Sequence, residues 1–291
     1  MAHSHRFRSV VAFVACASLP FLSPARAGES GGEPTSSPSR ECIAVPDLVD
    51  CGAPSRREPR KPLPPECAAL RRSLTPGDLT RTAERVRKGE LVVLAIGSSS
   101  TSGVGTSSPD AAYPARLEHE LREFVPDLAV RVVASGVGGE TATETLARLV
   151  GQIASLQPQL VIWQVGTNDA LSEGGEEQFR SLVERGAEAV VNSGADLVLL
   201  NQQFFPGITK KERYERFVEI VREVGQRWQA SVFGRYELMK EWADASGQGF
   251  RAMLADDAFH MSDQGHACLA RILSDEIVDA AQRPALMPEI Q

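Results

Sequence analysis

Glu90-Leu91-Val92-Val93-Leu94-Ala95-Ile96-Gly97-Ser98-Ser99-Ser100-Thr101 is an almost unbroken apolar run that ends in a loop of small hydroxylated residues. A strand that is apolar at nearly every position is buried on both faces, as in a parallel sheet covered by helices. Runs of the same kind recur, and the pattern predicts strands over 91–96, 128–134, 160–165, 196–202 and 231–236. Amphipathic stretches alternate with them and predict helices over 111–124, 143–156, 176–193, 210–229 and 262–281. The alternation points to a three-layer α/β/α sandwich with a five-stranded parallel sheet.

In such sheets ligands bind beyond the carboxyl ends of the strands. Three loops with chemistry fall there. Ser99 follows the first strand, Gly139 lies in Ser135-Gly136-Val137-Gly138-Gly139-Glu140-Thr141 after the second, and Asn168 lies in Gly166-Thr167-Asn168-Asp169 after the third. Near the C-terminus Asp257-Ala258-Phe259-His260 places a carboxylate three residues before an imidazole, a spacing that lets both side chains share one side of a turn. A serine hydroxyl needs a base to take its proton and preset donors to hold the oxyanion. Ser99 is thus the candidate nucleophile, His260 the base, Asp257 its orienting carboxylate, and Asn168 a side-chain donor, with Asp256 as a competing carboxylate. Of five histidines, His3 and His5 belong to a segment expected to be removed, His119 sits on a charged helical face, and His266 reads as a packing or capping residue. No Walker lysine follows the small-residue loop, and Gly-x-Gly-x-x-Gly is absent, so neither a phosphate loop nor a dinucleotide fingerprint is present. Gln202-Gln203-Phe204-Phe205-Pro206 follows the fourth strand and reads either as an acyl-pocket lining or as ordinary packing.

The four blocks in this order resemble the SGNH, or GDSL-type, hydrolase family. Gly97-Ser98-Ser99-Ser100-Thr101 is similar to its nucleophile block, Gly139 to its glycine block, Gly166-Thr167-Asn168-Asp169 to its Gly-x-Asn-Asp block and Asp257-Ala258-Phe259-His260 to its Asp-x-x-His block. The segment 111–117 looks like the first helix of the thioesterase/lysophospholipase and arylesterase branch. The resemblance implies a flavodoxin-like sheet, a Ser99–His260–Asp257 triad, and an oxyanion hole built from the Ser99 and Gly139 backbone amides with the Asn168 side chain. It implies no metal and no organic cofactor. The departure is Ser98, where the family usually has aspartate, and it bears on subfamily and substrate. The expected activity is a serine esterase acting on acyl or acetyl esters, some of them on saccharides. An acyltransferase using the same triad on sugar hydroxyls and a non-catalytic carbohydrate-binding module of the same fold are the alternatives.

The N-terminus reads as an export signal over residues 1–27: Arg6 and Arg8 precede an apolar stretch, and Ala25-Arg26-Ala27 is a small-x-small cleavage site. Export to the periplasm or the medium is expected. Cleavage would remove Arg6, Arg8 and Arg26 and no acids, taking the formal charge from -7 to -10. An acidic protein of this kind is a poor nucleic-acid partner, because phosphate binding draws on clustered Lys and Arg. Residues 28–78 read as a Pro/Ser/Gly-rich extension, and 79–291 as the hydrolase domain. Arg56, Arg57, Arg60, Lys61, Arg71 and Arg72 are read first as a solvated linker, and otherwise as a weak contact to an anionic cell wall or membrane surface. Cys42, Cys51, Cys67 and Cys268 remain after cleavage and allow three pairings. Cys42 with Cys51 is the local option, leaving Cys67 and Cys268 as a tie between extension and last helix.

Overall fold

The structure, a computed structural model, describes residues 61–68, 74–246 and 249–282. The 1–27 signal, Cys42, Cys51 and the arginines of the basic extension lie outside the described residues. In chain order the elements are β1 (Leu74–Thr75), α1 (Thr80–Arg87), β2 (Glu90–Gly97), α2 (Ser99–Ser102), α3 (Tyr113–Phe124), β3 (Ala129–Gly136), α4 (Ala142–Leu156) and β4 (Leu160–Gln164). There follow α5 (Thr167–Leu171), α6 (Glu176–Asn192), β5 (Asp196–Leu200), α7 (Lys211–Arg227), β6 (Ser231–Phe233), α8 (Arg235–Ser246), α9 (Gly249–Ala252) and α10 (Asp263–Gln282).

The sheet is six-stranded and mixed, in the order β1-β6-β5-β4-β2-β3, which corrects the expectation of a five-stranded parallel, flavodoxin-like sheet. Five strands run parallel, and β1 closes the edge antiparallel to β6, with Leu74 opposite Phe233. Two residues are too few to leave any periodicity, and Pro76 ends the strand at once. β1 lies in the stretch read as extension, so the folded unit begins before residue 79. A second difference is at 231–236, where strand stops at Phe233 and Gly234 leads directly into α8.

Alternate residues of the central strands feed two cores. Leu91, Val93 and Ala95 of β2 pack with Leu117 and Leu121 of α3 and Leu269 and Leu273 of α10. Leu94 and Ile96 pack on the other face with Leu149 of α4, Val183 of α6 and Val221 of α7. This is why β2 had to be apolar at almost every position. α4 starts at a capping box: Thr141 and Glu144 each satisfy a backbone amide of the other's end of the turn. The start of α4 is thereby fixed next to the Gly139 loop.

Cys67 is bonded to Cys268 of α10, with Cα atoms 5.1 Å apart. Nearby, Arg271 donates to the Lys61 carbonyl (2.6 Å) and to the Glu120 carboxylate (3.2 Å), so the leading segment is fastened to α10 by covalent and polar ties. The bond spans a sequence separation of 201 residues. A cross-link over so long a loop restricts the unfolded chain strongly, and replacing both cysteines by serine is expected to lower stability by about 2–5 kcal/mol, read as a lower urea midpoint with a higher m-value, since the uncrosslinked unfolded chain exposes more surface.

Candidate active site

Ser99 is the first residue of α2, a single helical turn that starts where β2 ends. Its amide is one of the first-turn donors without an intrahelical partner. The turn is held from the neighbouring strand: Gln164, buried at the end of β4, accepts at its Oε1 from the Ser98 amide (2.8 Å) and from the Thr101 hydroxyl (3.2 Å). The Thr101 hydroxyl also meets the Tyr113 hydroxyl at 3.2 Å, and burial pushes that phenol up to about 12. Ser98, which stands where an aspartate was expected, therefore has its own buried partner in Gln164. The Ser99 side chain is half-buried, and its hydroxyl makes no hydrogen bond among the described residues, His260 included.

Asp257 and His260 are brought together. Asp257 Oδ2 lies 2.6 Å from His260 Nδ1, while Asp257 Oδ1 accepts from the amides of Phe259 and His260, both at 2.9 Å. The turn runs through Ala258 at φ 54, a left-handed conformation that costs a non-glycine residue about 1 kcal/mol. Partial burial pushes the Asp257 carboxyl up, but the hydrogen bonds from the His260 ring and the two amides together outweigh it and bring it down to about 2. An ionised Asp257 accepts only, so Nδ1 carries a ring proton, and the neutral imidazole has its lone pair on Nε2. Asp256 is the carboxylate left out: it is fully exposed and sits 4.0 Å from Arg251.

The base segment is in contact with the loop that follows the nucleophile turn. Gly105, at φ 95, lies so close to the base segment that a Cβ there would stand 2.5 Å from the Met261 carbonyl and 2.9 Å from His260 Cβ. Asp263 accepts from the Ser107 amide at 2.8 Å and from its hydroxyl at 2.5 Å. The Phe259 ring meets His260 edge-on at 4.7 Å, and Phe205 meets Phe259 edge-on at 4.7 Å. Phe204 packs on Tyr236 and Phe250. The segment 202–206 thus packs behind the base turn, as one of its two readings has it.

The two oxyanion candidates after β3 and β4 form a second cluster. Asn168 Nδ2 donates to the Glu140 carbonyl at 2.7 Å, which leaves its other N–H unspent by that bond. Gly139 stands at φ 82, a conformation open to glycine, and its amide makes no hydrogen bond among the described residues. Arg148 of α4 binds the Glu140 carboxylate (2.5 Å) and the Gly97 carbonyl (3.3 Å), so one guanidinium ties the Gly139 loop to the end of β2. Arg148 was not singled out by sequence, since an arginine in an amphipathic helix carries no local mark. Asp169 accepts at both oxygens from the Ala142 amide and sits in the opening of α4.

The other histidines separate as expected. His119 is exposed and pairs with Glu123. His266 is fully buried, with Nδ1 accepting from the Tyr113 amide at 3.1 Å; burial foremost, and the charge of Arg235 next, push it down to about 3. Among the described residues no three potential metal ligands gather at one point.

Residues 66–283 match the model of the non-GDSL lipase-like family, more than half of the chain. The chain belongs to that family. This corrects the resemblance to the SGNH, GDSL-type family: each of its blocks is a few residues of ordinary turn chemistry, and Ser98 fills the one position that its usual aspartate would mark. An arylesterase of Vibrio mimicus is 23% identical over 173 residues, covering 58% of this chain and 80% of the relative. Among solved structures, a two-domain esterase active on acetylated mannans superposes with a TM-score of 0.59 at 20% identity, over 73% of this chain and 56% of that one. An acetylxylan esterase from Geobacillus stearothermophilus gives 0.55 at 20% identity, over 64% of this chain and 94% of that one. At such identity the superpositions show the fold.

Asp169 supplies a pH prediction. Burial pushes its carboxyl up, the Ala142 amide pulls it back in part, and it stands at about 6. A folded value above the unfolded one means that stability is full below the unfolded value near 4 and is lost as pH rises through about 6. Relative to Asp169→Asn, the wild-type protein is expected to lose about 2–3 kcal/mol between pH 4 and 7, measured by urea denaturation of both at each pH.

Proposed function

We propose that this carboxylic ester hydrolase works through an acyl-serine intermediate. Ser99 Oγ attacks the ester carbonyl as its proton passes to His260 Nε2, which returns that proton to the leaving alcohol; water then repeats the step on the acyl-serine. Asp257 holds the His260 tautomer and steadies the imidazolium. The Ser99 and Gly139 amides and Asn168 Nδ2 face the developing oxyanion. The observation that carries the reading is the 2.6 Å Asp257–His260 pair, with its carboxylate pinned by two backbone amides, on a turn packed against the loop that follows Ser99. The open hydroxyl of Ser99 is compatible with it, because catalytic hydrogen bonds are commonly loose before substrate binds.

For the substrate we propose small acyl esters, acetyl groups on saccharides foremost. The arylesterase and the acetylmannan- and acetylxylan-active esterases among its likenesses support that choice. Export fits an extracellular or periplasmic glycan substrate, and the basic extension is proposed as no more than a weak surface contact. No cofactor enters the mechanism.

Turnover of p-nitrophenyl acetate by purified protein tests the assignment. Ser99→Ala is expected to abolish it, and Ser99→Ala turning over like the wild type removes Ser99 as nucleophile. Asn168→Ala is expected to lose about a hundredfold in kcat if its side chain donates to the oxyanion. Because Asp257 stays ionised down to about 2, its protonation is not expected to shape the rate above pH 4; Asp257→Asn, which reverses the ring tautomer, should lower kcat on the order of a thousandfold or more across that whole range.

A further inference from the structure

We propose that Gln203 is a positioning residue for ester hydrolysis, clamping the turn that carries His260 to the helix that carries Ser99 over the buried Arg235. The proposal rests on the Ser99 and His260 assignment above. Gln203 is 1% exposed. Its Oε1 accepts from the Ser100 hydroxyl at 3.1 Å, and its Nε2 donates to the Phe259 carbonyl at 2.8 Å. Ser100 is the residue after Ser99, and Phe259 the residue before His260. One carboxamide therefore spans the gap between the two catalytic turns, each end one residue from the reacting side chain.

Arg235 gives the bridge a direction. It is fully buried, donates from Nη1 to Ser100 Oγ at 2.8 Å and from Nε to the Asn201 carbonyl at 3.1 Å. Among the described residues it has no carboxylate within ion-pair distance, and its Nη2 has no partner. A buried guanidinium without a counter-charge is costly, and an apolar side chain could fill the same volume. What an apolar side chain cannot do is orient the hydroxyl. A guanidinium has only donors, so Ser100 Oγ accepts from it and keeps its own proton for Gln203 Oε1, to which it donates at 3.1 Å. The amide nitrogen of Gln203 is then turned away from Ser100 and toward the Phe259 carbonyl. The glutamine cannot flip without setting its amide oxygen against the Phe259 carbonyl oxygen.

The reaction has use for such a clamp. His260 is fixed in rotation by Asp257, which lies on the same turn, so that contact moves with the turn and does not set its distance from Ser99. A small displacement of a catalytic group, of the order of 1 Å, costs about a hundredfold in rate. At Gly105 the loop after α2 passes so close to the base turn that an added Cβ would stand 2.9 Å from His260 Cβ, and Gln203 supplies a polar tie between the two turns.

Gln203→Glu tests this with little change of volume. The carboxylate still accepts from Ser100 and gives Arg235 a nearby counter-charge, so the fold is retained; it loses the donor to Phe259 and sets an acceptor against that carbonyl. Expected are a thermal midpoint no lower than wild type, KM for p-nitrophenyl acetate within about twofold, kcat reduced by about tenfold or more, and a parallel slowing of Ser99 phosphonylation by a fluorophosphonate. A folded Gln203→Glu enzyme with wild-type kcat, or one in which only KM changes, overturns the proposal. Should Gln203→Glu fail to fold, Ser100→Ala interrupts the same chain at its middle: lower kcat at constant KM supports the clamp, and unchanged kcat overturns it. In the double variant the loss is expected to be no greater than that of Gln203→Glu alone, since the groups act as a unit, and multiplying losses overturn the single chain. Failure of the nucleophile assignment is visible separately, as phosphonylation that persists in Ser99→Ala.

Discussion

The pairing of β2 with β4 in the middle of the sheet governs where the rest of the site can be. Val93 stands opposite Leu160 and Ile96 opposite Trp163, all fully buried, so neither strand can slide without turning a core face toward the wrong layer. Because the two strands are parallel, both chains leave the sheet at the same edge. α2 and α5 consequently begin side by side, and a single buried carboxamide at the end of β4, that of Gln164, reaches the amide of Ser98. β3, on the other side of β2, delivers the Gly139 loop to the same edge.

What arrives from outside the sheet is the base. His260 stands between α9 and α10, far along the chain, and is located by contacts of three kinds: the Asx-type turn closed by Asp257, the edge-on ring contacts of Phe205 with Phe259 and of Phe259 with His260, and the polar ties of Gln203 and Asp263 to the stretch 100–107. Asp257 sets the ring's tautomer and rotation, the edge-on aromatic contacts back the turn, and the polar ties join it to α2 and the loop that follows. The oxyanion side is organised separately, through Arg148, Glu140 and Asn168.

Burial divides the titratable groups of this edge by role. His266, fully enclosed and close to a buried cation, is held neutral and spends Nδ1 on a backbone amide, so it cannot serve as a proton acceptor that cycles. Asp169 is held partly neutral and used to anchor a helix start. Asp257, half exposed and surrounded by donors, remains an anion. The two aspartates thus shift in opposite directions within one edge of the sheet: burial dominates at Asp169, and the donors around the carboxylate dominate at Asp257.

Much of this was legible before any coordinates. Apolar continuity marked the parallel strands, because burial on both faces leaves little choice of residue in β2, β4, β5 and β6, while β3 lies at the sheet edge and is largely half-buried or exposed; the small-residue loops after three of them marked the edge where chemistry gathers. The Asp257–His260 spacing identified its own contact, since a three-residue turn is a local structure. Other features left no local trace. β1 is two residues long and owes its existence to the open edge of β6; α8 begins where a strand pattern still continued. Four short blocks of turn residues suggested one hydrolase family where the match along 66–283 assigns another, because blocks of three or four small residues carry too little information to separate families that share turn chemistry. The bond between Cys67 and Cys268 and the positions of Gln203, Arg235 and Arg148 were decided only by the tertiary structure. Each depends on which distant backbone amide, carbonyl or thiol comes within a few ångströms, and such distances are set by packing across the sheet, to which neighbours in sequence contribute little.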